Sequence, residues 1–155
     1  LLESQQLLSD QAGRTLDTVT REVMHSGTNV LYAGGKSARA ALTKDDKLTV
    51  DTVKRAARIL KNANAPKIDK YYVAIINPDT SYDLQSDPAW IDASKYAGST
   101  QIFEGEVGKI AGVRFIESTE AKIFNEKSTS GARIYGTLFL GANAYGTTEI
   151  EGGGL

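Results

Sequence analysis

One apolar run, from Tyr71 to Ile76, limits the possible folds more than any other segment of the sequence. Aromatic and β-branched residues dominate it, which is typical of a buried β-strand. The run stops at Asn77-Pro78-Asp79, because proline cannot donate to a sheet ladder and Asn and Asp favour turns. An isolated strand pair would be marginal. We therefore predict a central strand at 71–77 that pairs with Val113–Ser118 or Ile134–Leu140, the other two strongest runs of this kind.

Two short helices are predicted directly after this strand. Asp79 or Thr80 can cap the first through its side-chain oxygen. The second starts at Asp87-Pro88, which places an N-cap acid before a first-turn proline. Its Trp90 is expected to be mostly buried against the central strand. Core packing is also favoured over ligand stacking for the two tyrosines of this region, Tyr82 and Tyr96.

Glycines and polar residues divide the rest of the C-terminal half. Three glycines before Val113 predict a loop there: Gly105, Gly108 and Gly112. Residues 120–124 can extend a strand, and 125–131 (NEKSTSG) reads as a polar, mobile loop. A last short strand is expected from Tyr145 to Ile150, ahead of the glycine-rich end.

Two amphipathic helices are predicted in the N-terminal third. Residues 1 to about 26 carry one apolar stripe at helical spacing, formed by Leu1, Leu8, Ala12, Leu16, Val19 and Val23. At 1.5 Å per residue this helix would be about 39 Å long, more than a domain of this size can cover. Thr49 caps the second helix, which ends before Pro66. Helices and strands in this order indicate an α+β fold, with a long N-terminal helix attached to a mixed sheet flanked by helices.

The composition excludes several classes of protein. Of the 155 residues, 41% are hydrophobic and 24% are charged, as in an ordinary globular domain, and no apolar run approaches the roughly 20 residues of a membrane span. No cysteine is present, so disulfides and thiolate chemistry are excluded. The formal net charge of −1 argues against a protein that grips DNA phosphates. A basic row on the second helix (Lys54, Arg55, Arg58, Lys61) is interpreted as a solvated face.

No catalytic, cofactor-binding or metal-binding residues are predicted. The acids Asp79, Asp83, Asp87 and Asp92 could support acid–base or metal chemistry, but each lies near a helix start, where capping is the simpler role. His25, the only histidine, suits the carbonyl end of the first helix as a partly charged imidazole. Gly34-Gly35-Lys36-Ser37 lacks the earlier glycine of a phosphate-binding loop and is interpreted as a hinge.

The order and spacing of several segments resemble one family, the tailed-phage major capsid proteins of the Hong-Kong-97-type fold. The matching segments cover roughly half of the chain: Ile76-Asn77-Pro78-Asp79, Tyr82-Asp83-Leu84, Trp90-Ile91-Asp92, Lys95-Tyr96, Gly105-Glu106-Val107-Gly108, Gly112 to Ser118, and Leu138 to Gly146. The resemblance implies that 1–35 is the spine helix of the peripheral domain. Residues 36–155 would then form the central domain, incomplete at its C-terminal end.

This resemblance also implies a function. The protein would be a structural subunit of an icosahedral phage or prophage head that self-assembles around packaged DNA. Its partners would be copies of itself, as pentamers and hexamers in the full-length protein, without a specific nucleic-acid site or a membrane. It would be found in the virion capsid, and in the host cytoplasm during assembly. A related shell, such as a protein nanocompartment, fits the same residues.

The alternative from another class is a small-molecule enzyme or binding protein. Its site would lie at the loop after Ile76-Asn77-Pro78-Asp79, because ligands often bind at the carboxyl ends of strands. A truncated capsid subunit makes a different prediction, namely that the apolar stripe of the first helix is partly exposed in this chain.

Overall fold

The computed structural model describes residues 2–96 and 106–148. Within them lie four α-helices, α1 Leu2–His25, α2 Val50–Asn62, α3 Pro78–Gln85 and α4 Pro88–Tyr96. Six strands accompany them: β1 Tyr72–Ile76, β2 Glu106–Ile110, β3 Val113–Glu117, β4 Ile123–Phe124, β5 Ile134–Tyr135 and β6 Leu138–Leu140. The predicted α+β fold with a long N-terminal helix is therefore confirmed.

Strand β1 lies in the middle of a mixed sheet, as its apolar sequence predicts. It pairs in parallel with β3, with Tyr72 opposite Val113, and antiparallel with β6, with Ala74 opposite Phe139. Strand β2 extends the sheet on the far side of β3, which gives the order β2-β3-β1-β6. Both predicted partners of the central strand are thus present.

The hydrophobic core lies between this sheet and helix α2. Alternate residues of β1 are buried because successive side chains of a strand point to opposite faces. One face of α2 packs against them through Val50, Val53 and Ala57. The fully buried cluster is completed by Tyr72, Ala74, Ile76, Leu84, Val113 and Phe115.

The predicted glycine loop before β3 is instead a β-hairpin. Strands β2 and β3 are joined by Ala111 and Gly112, whose φ angles are 54° and 79°. Positive φ at both central residues is what a type I′ hairpin turn requires. Gly108 interrupts the register of β2, and a Cβ atom there would lie 2.9 Å from the ring of Trp90. Gly105 lies outside the described residues.

Two of the three helix caps predicted from the sequence are confirmed. The hydroxyl of Thr49 caps α2, and the carboxylate of Asp87 accepts a hydrogen bond of 2.8 Å from the N–H of Ala89 at the start of α4. The expected caps of α3, Asp79 and Thr80, were wrong. Asn77 is the cap, since Pro78 occupies the first helical position and fixes the residue before it in an extended conformation.

The C-terminal part departs from prediction in three places. The expected strand 134–140 is split, because the chain leaves β5 at Gly136 and enters the main sheet as β6. The loop 125–131 is held to the segment before α2 by backbone hydrogen bonding between Thr129 and Ala40, and Ser128 within it is buried. Residues 145–148 form no strand, and 149–150 lie outside the described residues.

Two aromatic side chains are more exposed than expected. Tyr82 lies on the surface with 74% of its area accessible, so its predicted core role was wrong. Trp90 is half-buried and not mostly buried, with its ring edge-on to Phe115 at a centroid distance of 5.6 Å. The side chain of Tyr96 lies outside the described part of the chain.

We predict that Trp90→Ala lowers the free energy of unfolding by about 2 kcal/mol. This is below the usual cost of truncating a fully buried tryptophan, because part of the ring is already in water. Tyr82→Ala is the matched control and should change stability by no more than about 0.5 kcal/mol. Urea unfolding followed by circular dichroism measures both. Equal losses for the two variants would contradict the packing of Trp90 on β3.

Candidate assembly surfaces

The polar side chains of the loop after β1 are hydrogen-bonded within the protein. Asn77 is 5% exposed and its side-chain oxygen accepts from the N–H of Asp79 at 3.0 Å. The carboxylate of Asp79 accepts in turn from the hydroxyl of Tyr135 at 2.6 Å, and this bond raises the pKa of the Tyr135 phenol. The polar groups that would define a ligand site at this strand end therefore hold the loop to β5.

The other acids of this region also have structural roles. Lys47 donates to Asp83 at 2.8 Å, which ties the segment before α2 to α3. Asp87 caps α4 and also accepts from the N–H of Val50 at 2.9 Å, so one carboxylate joins the starts of two helices. Asp92 lies exposed on α4. In the described part of the chain, no three metal-ligating side chains come together.

We predict that Asp87→Ala destabilises the protein by about 1–2 kcal/mol, because both α2 and α4 lose an acceptor for a first-turn N–H. Asp51→Ala is the control, since Asp51 lies on the exposed face of α2 and forms an ion pair with Arg55 one turn away. An exposed pair of this kind contributes little. Thermal unfolding of both variants provides the test. If the two midpoints fall equally, Asp87 does not join the helices as described.

The segment Gly34-Gly35 adopts a conformation that suits glycine. Both residues have positive φ, and a Cβ atom on Gly34 would lie 1.8 Å from a carboxylate oxygen of Asp46. Thr43 donates its N–H and its hydroxyl to that carboxylate, which lowers the pKa of Asp46. An ionised Asp46 carboxylate this close to the Gly34 backbone would repel a phosphate group bound there. This geometry argues against a phosphate-binding loop, and the hinge expected from the sequence stays a prediction.

The C-terminal end of α1 docks on the rest of the domain through polar contacts. Arg21 donates to the backbone carbonyl of Glu120, and Lys122 donates to the carboxylate of Glu22 at 2.5 Å. His25 lies edge-on to Phe124 at 5.9 Å. A partly open cavity of about 240 Å³ remains between this end of α1 and the sheet. We call this set of contacts the α1 joint.

The pKa of His25 is lowered in the α1 joint, in contrast to the partly charged imidazole expected from the sequence. Its pKa is lowered chiefly by burial, and the positive charges of Lys122, Arg21 and Arg39 lower it further. The negative charge of Glu22 raises the pKa of His25, but by less than the other effects lower it. The helix C-terminus alone would raise this pKa, so tertiary contacts override the helix dipole.

Acidification should therefore weaken the α1 joint. The imidazole in the unfolded chain has a pKa of about 6.5, whereas the folded value is lower. As the pH falls through about 6.5, the unfolded state takes up a proton before the folded state does, so the free energy of unfolding decreases. His25→Gln should remove this dependence between pH 7.5 and 5. The imidazole NMR signal of this single histidine reports the folded pKa directly, and a value above 6.5 would contradict the assignment.

The face of α1 turned away from the α1 joint carries several exposed apolar side chains. Leu8, Leu16, Val19 and Val23 are each more than half exposed, so the predicted exposure of this stripe is observed. A second exposed group lies on the α3–α4 pair, where Tyr82 and Ile91 face solvent. None of the described helices is long and apolar enough to cross a membrane.

Comparison with known proteins supplies a family for these features. A family model described as "Phage capsid protein" matches residues 6–150. Among solved structures, the capsid of Ralstonia phage GP4 is similar, with a TM-score of 0.56 and 22% sequence identity. The match covers 72% of this chain and 36% of that chain, so this chain spans little more than a third of its neighbour. No curated protein matches the chain.

Proposed function

The chain belongs to the phage capsid protein family, and we propose that it is the part of a head subunit that assembles, in many copies, into an icosahedral shell around DNA. The observation that carries this proposal is the family match, which extends over nearly the whole chain, from residue 6 to residue 150. The similarity of fold to a phage capsid agrees with it. The role is structural, and the protein resides in the virion shell.

Within such a subunit, residues 1–35 act as the spine helix of a peripheral domain and 36–155 form the central domain. Two features support this division. In the described part of the chain, the hydrogen bonds from α1 to the rest of the domain lie near its C-terminal end, whereas the fully buried core is built from α2, β1, β3 and Leu84 of α3. Pentamers and hexamers would form through heterologous contacts of the central domain, since ring closure needs head-to-tail surfaces.

The shell encloses DNA without a specific nucleic-acid site in this chain. The formal net charge is −1, and the basic row of α2 is partly compensated, because Arg55 pairs with Asp51 at 2.7 Å. Sequence-independent DNA binding depends on concentrated, unpaired Lys and Arg that release counterions from phosphates. Assembly takes place in the host cytoplasm, before the shell is complete.

An enzymatic role has less physical support. Asp79, Asp83 and Asp87 each accept a hydrogen bond that connects two elements of the fold. A general acid or base needs a carboxyl group that can reach a substrate proton. We propose that the chain has no catalytic residues and no cofactor site.

Production of the complete protein that contains this chain tests the proposal. We expect shell-like particles in the pellet after sedimentation, visible by negative-stain electron microscopy and decorated by antibodies raised against the 155-residue chain. The matched variants are Ala57→Asp, which places a charge in the core between α2 and β1, and Lys54→Ala on the exposed face of the same helix. Particles should disappear for the first variant and persist for the second. Particles that the antibody does not label, or a complete protein that stays soluble and monomeric, would overturn the proposal.

A thermal-shift screen tests the enzyme or binding-protein alternative. We expect no small molecule to raise the melting temperature through the loop after β1. A ligand whose stabilising effect disappears in Asp79→Ala, but persists in Asp92→Ala, would favour the alternative.

A further inference from the structure

The α1 joint attaches α1 to one small part of the domain. Its contacts go to residues 120–124, at and just before β4. Strand β4 pairs with β5 in a two-stranded sheet that is separate from the main sheet. Directly after β5, a Cβ atom on Gly136 would lie 2.6 Å from the imidazole of His25. These contacts place the end of α1 against the β4–β5 sheet.

The 125–131 loop, which connects β4 to β5, is anchored to a different segment, the short stretch before α2. Arg39 of that stretch forms an ion pair with Glu126 of the loop. The N–H of Thr129 donates to the carbonyl of Ala40 at 2.9 Å. The small sheet is therefore approached by two separate attachments, that of α1 and that of the loop.

The ring of Phe124 is a contact that both attachments share. His25 of α1 lies edge-on to it at 5.9 Å, and the guanidinium of Arg39 lies over it at 3.8 Å, which is cation–π distance. The ammonium group of Lys122 is a second cation over the ring, at 5.4 Å. We call these four residues the Phe124 cluster. A half-buried ring between partners from other segments loses contact when either partner leaves.

The two cations of the Phe124 cluster are neutralised by different segments. Arg39 pairs with Glu126 of the loop, whereas Lys122 pairs with Glu22 of α1. If the loop withdraws Glu126, the charge of Arg39 is left uncompensated beside that of Lys122, and their repulsion weakens the site on which α1 docks. The reverse holds when α1 withdraws Glu22. Attachment of one segment therefore favours attachment of the other.

The Phe124 cluster is also distinct from the main hydrophobic core. The buried side chains of this region, Ala121 and Ile134, lie outside the cluster that packs α2 on the main sheet. The two carboxylates that neutralise its cations are 62% and 44% exposed. Few buried apolar contacts and exposed polar ones are typical of a region that opens at a lower free energy than the whole domain.

We propose that Phe124 couples the docking of α1 to the anchoring of the 125–131 loop, so that both open and close as one unit while the main sheet stays folded. Such a coupling is a free energy shared by two sites, and it acts equally in both directions. The state of the loop thus controls whether α1 is held in place, and any contact that displaces the loop releases the helix. This coupling does not depend on shell assembly.

Amide hydrogen exchange of the 155-residue chain, followed by NMR, tests the coupling. Phe124→Leu keeps an apolar side chain but removes the aromatic ring. We expect exchange to accelerate by about tenfold, and by a similar factor, at Met24 in α1 and at Thr129 in the loop, while Ala74 in β1 is unchanged. Phe139→Leu is the matched control, because this ring is likewise half-buried but lies in the main sheet. It should leave Met24 and Thr129 unchanged.

Three results would overturn the proposal. Faster exchange at only one of Met24 and Thr129 would show that the helix and the loop open independently. Unchanged exchange at both would show that the ring couples nothing. Equal acceleration at Ala74, or a Phe124→Leu variant that does not fold, would place the Phe124 cluster within the main core and not in a unit of its own.

A pair of charge substitutions tests the coupling in both directions without changing an apolar side chain. Glu126→Gln on the loop should accelerate exchange at Met24 in α1 roughly two- to fivefold, the effect of losing one exposed ion pair. Glu22→Gln on α1 should accelerate exchange at Thr129 in the loop by a similar factor, because coupling is reciprocal. Lys127→Gln, an exposed neighbour on the same loop, is the control and should leave Met24 unchanged. An effect in one direction only, or an equal effect of the control, contradicts the coupling.

Discussion

The pairing of β1 on both sides is the constraint on which the rest of the fold depends. Because β1 is hydrogen-bonded to β3 and to β6, its backbone polar groups are satisfied in the sheet interior, and its side chains can be apolar on both faces. One face then receives α2. The carboxyl end of β1 also sets the start of α3, since Asn77, the residue directly after the strand, is the helix cap.

Hydrogen bonds accepted by carboxylates link the elements around this sheet. Asp87 connects α4 to the start of α2, and Asp79 connects α3 to β5 through Tyr135. Each bond satisfies a group that would otherwise lie unpaired at a helix end or loop. These carboxylates resemble a cluster of catalytic acids in the sequence, yet in the structure each accepts hydrogen bonds that join elements of the fold. Position along the chain is therefore a poor guide to whether acids share a site.

Periodicity and capping chemistry were sufficient to predict the central strand, the bounds of α1 and α2, and the start of α4. They were insufficient where contacts between distant parts of the chain determine the local structure. The hairpin turn at Ala111-Gly112 was missed because alanine rarely adopts positive φ, and the signal of an Asn-Gly or Asp-Gly pair is absent. The strand 134–140 was predicted as one unit because its apolar pattern is continuous, although Gly136 lies against His25 and directs the two halves into different sheets. The exposure of Tyr82 depends on the orientation of a two-turn helix, whose short apolar pattern does not define a buried face.

The orientation of α1 shows most clearly what a sequence pattern leaves open. An amphipathic helix predicts that its apolar face is buried, but not by which chain. Here the polar face takes the intramolecular contact, since the α1 joint offers the carbonyl of Glu120 and the ammonium group of Lys122 to Arg21 and Glu22. Such contacts are individually weak when exposed. The covering of the apolar face, in contrast, gains from every side chain removed from water. The polar contacts of the α1 joint therefore fix one end of the helix, while its apolar face contributes little to holding it to the described part of the chain.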